Sequence, residues 1–319
     1  MFSQTPALTG AMRALRLDKA NSLSLTSISI PHPPANHLLV QVYASAIQPS
    51  DILNAHGGFA VTTFPRVVGR DFSGVIAAVG EGSPSTLIGE PVFGTSGSTH
   101  AFTVDGFQAE YAIVPFEGVA LKPEGISHVQ AATLGVPIST AALIVRRAAI
   151  QNGERVLVLG AKGAVGSAVC TILGPDVHVL KGIRGPGGDV DTAADPQLKT
   201  VGKVDVVIDT IGITALSEAA LDILSKSGRF VFISAPKNVT TPQLTIKMKD
   251  FYRNELSLLG VNSVSKSIEE MAILLGGIKG PVLEDYVNGA GRWTEISLDE
   301  AVIAYEDKTP GKKYVIKII

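Results

Sequence analysis

Glu154-Arg-Val-Leu-Val-Leu-Gly160-Ala-Lys-Gly163-Ala-Val-Gly166-Ser-Ala-Val-Cys170 is the stretch from which the fold can be read. Val156 to Leu159 is an apolar, β-branched run, bounded by Asn152-Gly153 before it and glycines after it. Such a run marks a strand buried on both faces of a parallel sheet. Gly160 to Gly166 then turn the chain into a helix expected from Ala164 to about Leu173, with a face of small residues. Strand, glycine turn and helix N-terminus make an anion site, because unpaired N–H groups and the helix dipole converge there. The dinucleotide fingerprint needs one glycine for the turn, one for close approach of pyrophosphate and one for helix–strand packing. Ala161, preceded by Gly160, holds the first place; Gly163 and Gly166 hold the others. A tight βα turn with no ligand has the same pattern, so the rest of the chain must decide.

The chain has 319 residues, 45% of them hydrophobic and 18% charged, enough for about two ordinary globular domains. Lys and Arg total 27 against 29 acids, with no basic run, so neither nucleic acid nor an anionic membrane is an expected partner. No apolar stretch is long enough to span a bilayer. The single Cys170 excludes an intramolecular disulfide and a multi-cysteine zinc lobe, and it reads as a small packed helix residue. Met1 to Gly10 is a polar extension without the apolar segment of a secretory signal. Arg13 and Arg16, with no acid before Asp18, share a bias of transit peptides, but Met12-Arg-Ala-Leu-Arg-Leu reads better as an opening strand. A cytoplasmic protein with a loose N-terminal tail is the expectation.

Residues 23 to 47 alternate apolar and polar around Pro31, Pro33 and Pro34, and their second run ends at Gln48-Pro-Ser-Asp51. Short strand-like runs follow, among them Phe64 to Gly80, Ile88 to Gly94 and Gly106 to Val114. Glycine and proline at this spacing suggest an antiparallel, partly closed β domain. From His128 the texture changes to an alanine-rich helical stretch reaching Ile150, interrupted at Gly135 and Pro137. Past the glycine turn, strands are expected at Val177–Leu180, Val204–Ile208, Arg229–Ile233 and Leu256–Leu259, with a helix from Ile213 to Lys226. Strand–helix alternation means a doubly wound parallel sheet. After a helix at Ile268 to Ile278, the tail regains strand character at Tyr314 to Ile319 and is expected to rejoin the first domain.

Gln48-Pro-Ser-Asp51, Gly69-Arg-Asp-Phe-Ser-Gly-Val-Ile-Ala-Ala-Val-Gly80, Gly160-Ala-Lys-Gly-Ala-Val-Gly166, Asp209-Thr-Ile-Gly212 and Gly311-Lys312 occur in that order. Together they resemble the zinc-independent medium-chain dehydrogenase/reductases, in the branch of quinone oxidoreductases and enoyl reductases, from about Met12 to Ile319. The resemblance implies an α/β protein with a GroES-like catalytic domain over residues 12–127, completed by 264–319. A Rossmann NADP-binding domain over 128–263 would carry the dinucleotide, with a cleft for the nicotinamide. Carried over by position, Gln48 would approach the nicotinamide end, and Thr140 would sit beside the nicotinamide or its ribose. Lys162, Gly163, Ala164 and Val165 would face the pyrophosphate, and Thr210, Ser234, Asn262 and Lys312 would complete the cofactor contacts. The family also implies a homodimer, paired through the apolar sheet-edge strand near Leu256 to Asn262.

Zinc alcohol dehydrogenases hold their metal with cysteines and a histidine or acid. The β domain has no cysteine, and His56 and His100 are isolated, so no metal is expected. Hydride delivery from NADPH to a quinone or an α,β-unsaturated carbonyl needs positioning and at most a proton source. No catalytic residue stands out: Tyr43, Tyr111, Tyr252 and His56 are candidate donors only, and the loop Asn54 to Phe59 lacks the tyrosine common in quinone reductases. A metal-free alcohol dehydrogenase and a non-catalytic NADPH-binding protein are the competing readings. Counting along Val177-His-Val-Leu180 puts Lys181 at the strand end and Arg184 three residues on, where an acid would otherwise bind the ribose 2′-OH. Cations there favour a 2′-phosphate, and Asp189 and Asp191 read as solvated loop charges. Lys181 to Lys203 shows no amphipathic helix and looks trimmed.

Overall fold

The computed structural model describes residues 8–236, 239–289 and 293–319, so residues 1–7 of the expected N-terminal tail lie outside the described residues. The chain forms two compact units, one from residues 8–139, 263–287 and 293–319, the other from residues 140–262 with 288 and 289.

The first unit opens with β1 (Ala11–Leu17), paired antiparallel along its whole length with β2 (Leu23–Ser29). β3 (His37–Ile47) follows and runs into α1 (Pro49–Ala55), with a proline at its start, where the missing N–H costs nothing. Then come β4 (Arg66–Val67), β5 (Asp71–Val79), β6 (Pro91–Thr95), β7 (Tyr111–Pro115) and β8 (Ala120–Leu121). β2, β1 and β4 form one small sheet.

α2 (His128–Ala131) belongs to this unit and not to the second, which moves the boundary expected at 127/128 to 139/140. The reason is packing: the His128 ring stacks on Tyr43 of β3 at 4.7 Å and meets the Ser73 hydroxyl of β5 at 2.8 Å. α3 (Gly135–Ala148) has its first five residues, 135–139, in the first unit and the rest in the second.

The second unit is built on β9 (Arg155–Leu159), whose Val156, Leu157, Val158 and Leu159 are all inaccessible to solvent. Burial of such side chains contributes about 1.5–3 kcal/mol each and explains the unbroken apolar run. α4 (Ala164–Leu173) and β10 (His178–Ile183) follow, then β11 (Val190–Asp191), β12 (Val204–Asp209) and α5 (Thr214–Asp222). β13 (Leu224–Phe232), α6 (Met248–Arg253) and β14 (Ser257–Gly260) complete it. The six strands are parallel, in the order β11-β10-β9-β12-β13-β14, which is the doubly wound arrangement.

One expectation for this unit needs correcting. The helix expected to Lys226 stops at Asp222, because Leu224 pairs with Val204 and begins β13. A bulge containing Ser227, at φ +62°, then carries the strand on to Arg229. No helix links β10 to β11; residues 192–203 turn over that face of the sheet and bury Leu198 and Val201 in the core beside Leu157 and Leu180.

The chain then returns to the first unit through α7 (Ile268–Gly276), α8 (Gly280–Gly289), β15 (Thr294–Ser297), α9 (Ala301–Glu306) and β16 (Tyr314–Lys317). β16 pairs antiparallel with β3, so the tail rejoins the β domain as its periodicity suggests. The larger sheet has the order β15-β16-β3-β5-β6-β8, with β7 also on β3.

Candidate functional site

The glycine turn at the end of β9 is shaped by positions that cannot carry a side chain. Gly160 stands at φ +85°, and a Cβ there would strike the Thr210 hydroxyl. A Cβ on Gly166 would strike the Gly160 carbonyl, so α4 can lie this close to β9 only with glycine in that place. Gly163 caps α4, and its own N–H is spent on Gly160 O at 2.8 Å. Val165 and Gly166 therefore carry the first-turn N–H groups of a ten-residue helix, where such donors have no intrahelical partner. The cradle fits an anionic ligand such as a pyrophosphate, and its chemistry is that of backbone donors.

Lys162, exposed at the turn, donates from Nζ to Pro186 O at 3.1 Å. It thereby ties the turn to the Gly185–Gly188 loop that follows β10. Lys181 is not at the strand end: β10 runs on to Ile183, and Lys181 lies in mid-strand. There its charge acts on the thiol of Cys170 in α4, which burial pushes up to about 11. Arg184 is the exposed first residue beyond the strand. Asp189 and Asp191 are not loose charges. The Asp189 carboxylate accepts from Lys181 N at 2.8 Å, and Asp191 accepts from Gly185 N at 2.8 Å and Ala193 N at 2.9 Å. Those N–H groups hold the Asp191 carboxyl below the usual range, Ala193 first.

Thr210 spends its hydroxyl proton on Leu159 O at 2.8 Å, which anchors the turn and leaves the oxygen as an acceptor. Ser234 lines a cavity of about 210 Å³ with Asp209, Ser217, Phe232 and Leu258. Thr140 is 4% exposed, and its hydroxyl has no protein hydrogen-bond partner. Asn262 is an exposed residue just past β14.

Within the β unit, Gln48 is buried and held at both ends. Its main-chain N–H donates to Asp51 Oδ2 at 2.8 Å, and its Nε2 donates to Asp71 Oδ2 at 2.8 Å. Asp71 also accepts from Val136 N at 2.9 and 3.0 Å, at the start of α3. Arg70 is buried beside them, with Nε on Ser96 Oγ at 2.9 Å, Nη1 on Ser50 Oγ at 3.0 Å and Nη2 unpartnered. Burial pushes Asp51 up to about 7 and Asp71 up to about 6, and lowers Arg70. Motif reading singled out Gln48 and missed this cluster. A signal was available: the charged pair Arg70-Asp71 interrupts an otherwise apolar run from Val67 to Val79.

Lys312, exposed on the turn before β16, donates to Asp307 Oδ2 at 3.1 Å and lies 4.9 Å from the centre of the Tyr314 ring. The candidate donors are otherwise engaged: Tyr43 is stacked on His128, Tyr111 OH accepts from Gln41, and His56 meets Ile52 O at 2.7 Å. Tyr252 is exposed on α6, not on a strand.

Among the described residues no group of three or more His, Cys, Asp or Glu could hold a metal ion. Cys170 sits on α4, and the His100 ring bridges Thr99 Oγ1 and Ile113 O, with burial lowering it to about 4. This donor set does not fit a zinc site. Among the described residues no helix is long and apolar enough to cross a membrane.

Comparison with known proteins accords with this geometry. Residues 34–124 match the alcohol dehydrogenase GroES-like domain family, and residues 188–276 match the zinc-binding dehydrogenase family. A zinc-type alcohol dehydrogenase-like protein of Schizosaccharomyces pombe is 43% identical over 272 residues, covering 83% of this chain and 82% of that protein. The quinone oxidoreductase of Homo sapiens is 29% identical over 82% of this chain and 83% of its own length. A structure described as a zinc-binding dehydrogenase of Sinorhizobium meliloti 1021 bound to NADP superposes with a TM-score of 0.80, at 22% identity, covering 97% of this chain and all of that one.

Proposed function

Because the chain belongs to the medium-chain dehydrogenase/reductase family, whose members are oxidoreductases, we propose that it is an NADPH-dependent, metal-independent reductase of quinones or α,β-unsaturated carbonyls. The observation that carries this reading is the glycine cradle of β9 and α4, followed by a strand end with Arg184 and no free acid. The cofactor would supply a hydride.

The chain's own residues would bind and orient. Gly163, Ala164 and Val165 would face the pyrophosphate, held on the first-turn N–H groups of Val165 and Gly166, and Lys162 would exchange Pro186 O for a phosphate oxygen. Arg184 would pair with the 2′-phosphate, with Lys181 in a lesser role from mid-strand. Thr140, with its unpartnered hydroxyl, and Thr210 and Ser234 are proposed for the ribose and nicotinamide. Gln48, Asn262 and Lys312 are proposed as cofactor contacts on the resemblance alone. Metal independence is supported by the donor set, and the acceptor class by the quinone oxidoreductase among the relatives.

A panel of quinones, enones and aldehydes, following loss of NADPH or NADH with and without a chelator, tests the reading. Turnover of quinones or enones, faster with NADPH and indifferent to chelation, is the expected result; zinc-dependent oxidation of alcohols would overturn it. The alcohol dehydrogenase-like relative at 43% identity makes that second outcome the natural competitor.

A homodimer through β14 is part of the same proposal. That strand ends the sheet; Leu258 on it is exposed, and so are Met248 and Tyr252 of α6, at 80% and 66%. Light scattering at micromolar concentration should give twice the chain mass, and Leu258→Asp should halve it.

A further inference from the structure

We propose that Asp71 is the positioning residue of the reductase site, a buried carboxylate that orients the Gln48 amide and holds the first turn of α3 with the same two oxygens. The inference rests on the reading above that this chain delivers hydride. It goes further by assigning a task to a side chain that touches neither cofactor nor substrate.

The geometry is closed on every side. Asp71 is inaccessible to solvent, and Gln48 is 1% exposed. Asp71 Oδ2 receives the Gln48 Nε2–H at 2.8 Å, and both oxygens lie within 3.0 Å of Val136 N. A Cβ on Gly135 would strike Asp71 Oδ1, so the carboxylate reaches the helix start only because residue 135 is glycine. The other contacts fix the backbone that carries the two side chains. Its strand is tied to β3 by Ser45 Oγ on Asp71 O at 2.5 Å, and Asp51 grips the main chain of Gln48 from α1.

An amide can face either way at a neutral partner. It faces one way only at a carboxylate, which accepts and cannot donate. Asp71 ionised therefore fixes the Gln48 side chain with its nitrogen inward. A protonated Asp71 could donate to the amide oxygen and reverse it. The charged groups that face Asp71 are Arg70, immediately before β5, and Asp51 of α1; α3 presents only the Val136 N–H and the positive end of its dipole, and β6 presents Thr95. Burial pushes the Asp71 carboxyl up to about 6, so the amide is locked above that pH and released below it.

The test is Asp71→Asn, which keeps the volume and an acceptor for Val136 N but turns an N–H2 toward the Gln48 amide. At saturating NADPH and acceptor, kcat of the wild type should fall as pH drops through about 6, while the variant should show no such limb and a kcat about tenfold or more below the wild-type plateau. Its Kd for NADPH, by fluorescence titration, should stay within about threefold of the wild type, which separates orientation from binding. Asp51→Asn should keep the limb. A variant kcat within about twofold of wild type, or an acid limb that survives Asp71→Asn, overturns the proposal. If the wild type reduces no acceptor, the functional reading fails on its own, and hydrogen exchange still judges the positioning. Asp71→Ala should then speed exchange of the Gly135 and Val136 amides by about tenfold or more, and unchanged protection there overturns the proposal.

Discussion

The glycine cradle of the parallel-sheet unit and the Gln48–Asp51–Arg70–Asp71 cluster of the β unit solve opposite problems. The cradle makes a polar site from backbone alone, by leaving side chains out: Gly160, Gly163 and Gly166 matter for the Cβ atoms they lack. The cluster makes one from side chains packed where water cannot reach, two acids and one guanidinium, each at most 1% exposed. The first is cheap and tolerant of its surroundings, because N–H groups at a helix start are unpaired in any fold. The second is costly, because buried charges must compensate one another, and here Arg70 Nη2 and Asp51 Oδ1 are left without protein partners. Backbone sites depend on sequence locally; side-chain sites depend on the tertiary fold.

The sharpest way to break this contrast is to put one methyl group into the cradle. Gly166→Ala forces α4 away from the Gly160 carbonyl, an overpacking worth about 1–3 kcal/mol of stability. NADPH affinity should fall about a hundredfold as the first-turn donors shift, read by fluorescence titration, with the melting temperature lowered as well. A variant that binds as tightly as wild type would show that the donors do not need the close approach.

Next in size is the cationic rim. Arg184→Ala should lower the NADPH/NADH ratio of kcat/KM by about tenfold to a hundredfold, the worth of one lost charge-assisted contact. Lys181→Ala alone should lower it less, since that side chain lies in mid-strand beside Cys170. The reverse ranking, or a wild type that prefers NADH, would move the 2′-phosphate away from Arg184.

The smallest effect concerns the cluster. Asp51 is raised from 3.8 to about 7 on folding, so the folded chain holds a proton that the unfolded chain has lost between those values. Its contribution to stability is complete below about 4 and disappears as pH rises through about 7. Urea midpoints of Asp51→Asn should therefore depend less steeply on pH across that window than those of the wild type. Parallel slopes would mean that Asp51 stays ionised, paired more closely with Arg70 than the structure places it.

What could be read from residues alone follows the same division. β9, the turn and α4 were legible because each is specified by neighbours in sequence: the apolar run, the glycines, the small-residue helix face. Other elements depended on distant partners. Ile223 and Leu224 continue the apolar pattern of α5, and nothing local says that Leu224 will pair with Val204 and start a strand. Lys181 was placed at a strand end because the strand's last residues, Gly182 and Ile183, pair with Val190 and Asp191 of a two-residue strand too short to register as one. In the site, Gln48 was found by motif, but its hold on Asp71 spans 23 residues and Asp71's hold on Val136 spans 65. Spacing of that kind carries no periodic signal.

β16 has a consequence for how the chain is made. Every strand of the parallel sheet lies between Arg155 and Gly260, so that sheet can close while the ribosome is still working. The β unit cannot: β3 waits for Tyr314–Lys317, and the Gln108 side chain waits for the Tyr305 hydroxyl, 197 residues further on. The half synthesised first is finished last: β5 and β7 can pair with β3 early, but its Ala44–Ile47 end keeps an open edge until β16 emerges. A nascent chain paused before residue 314 would present that edge to chaperones or to its neighbours, while its parallel sheet was already formed.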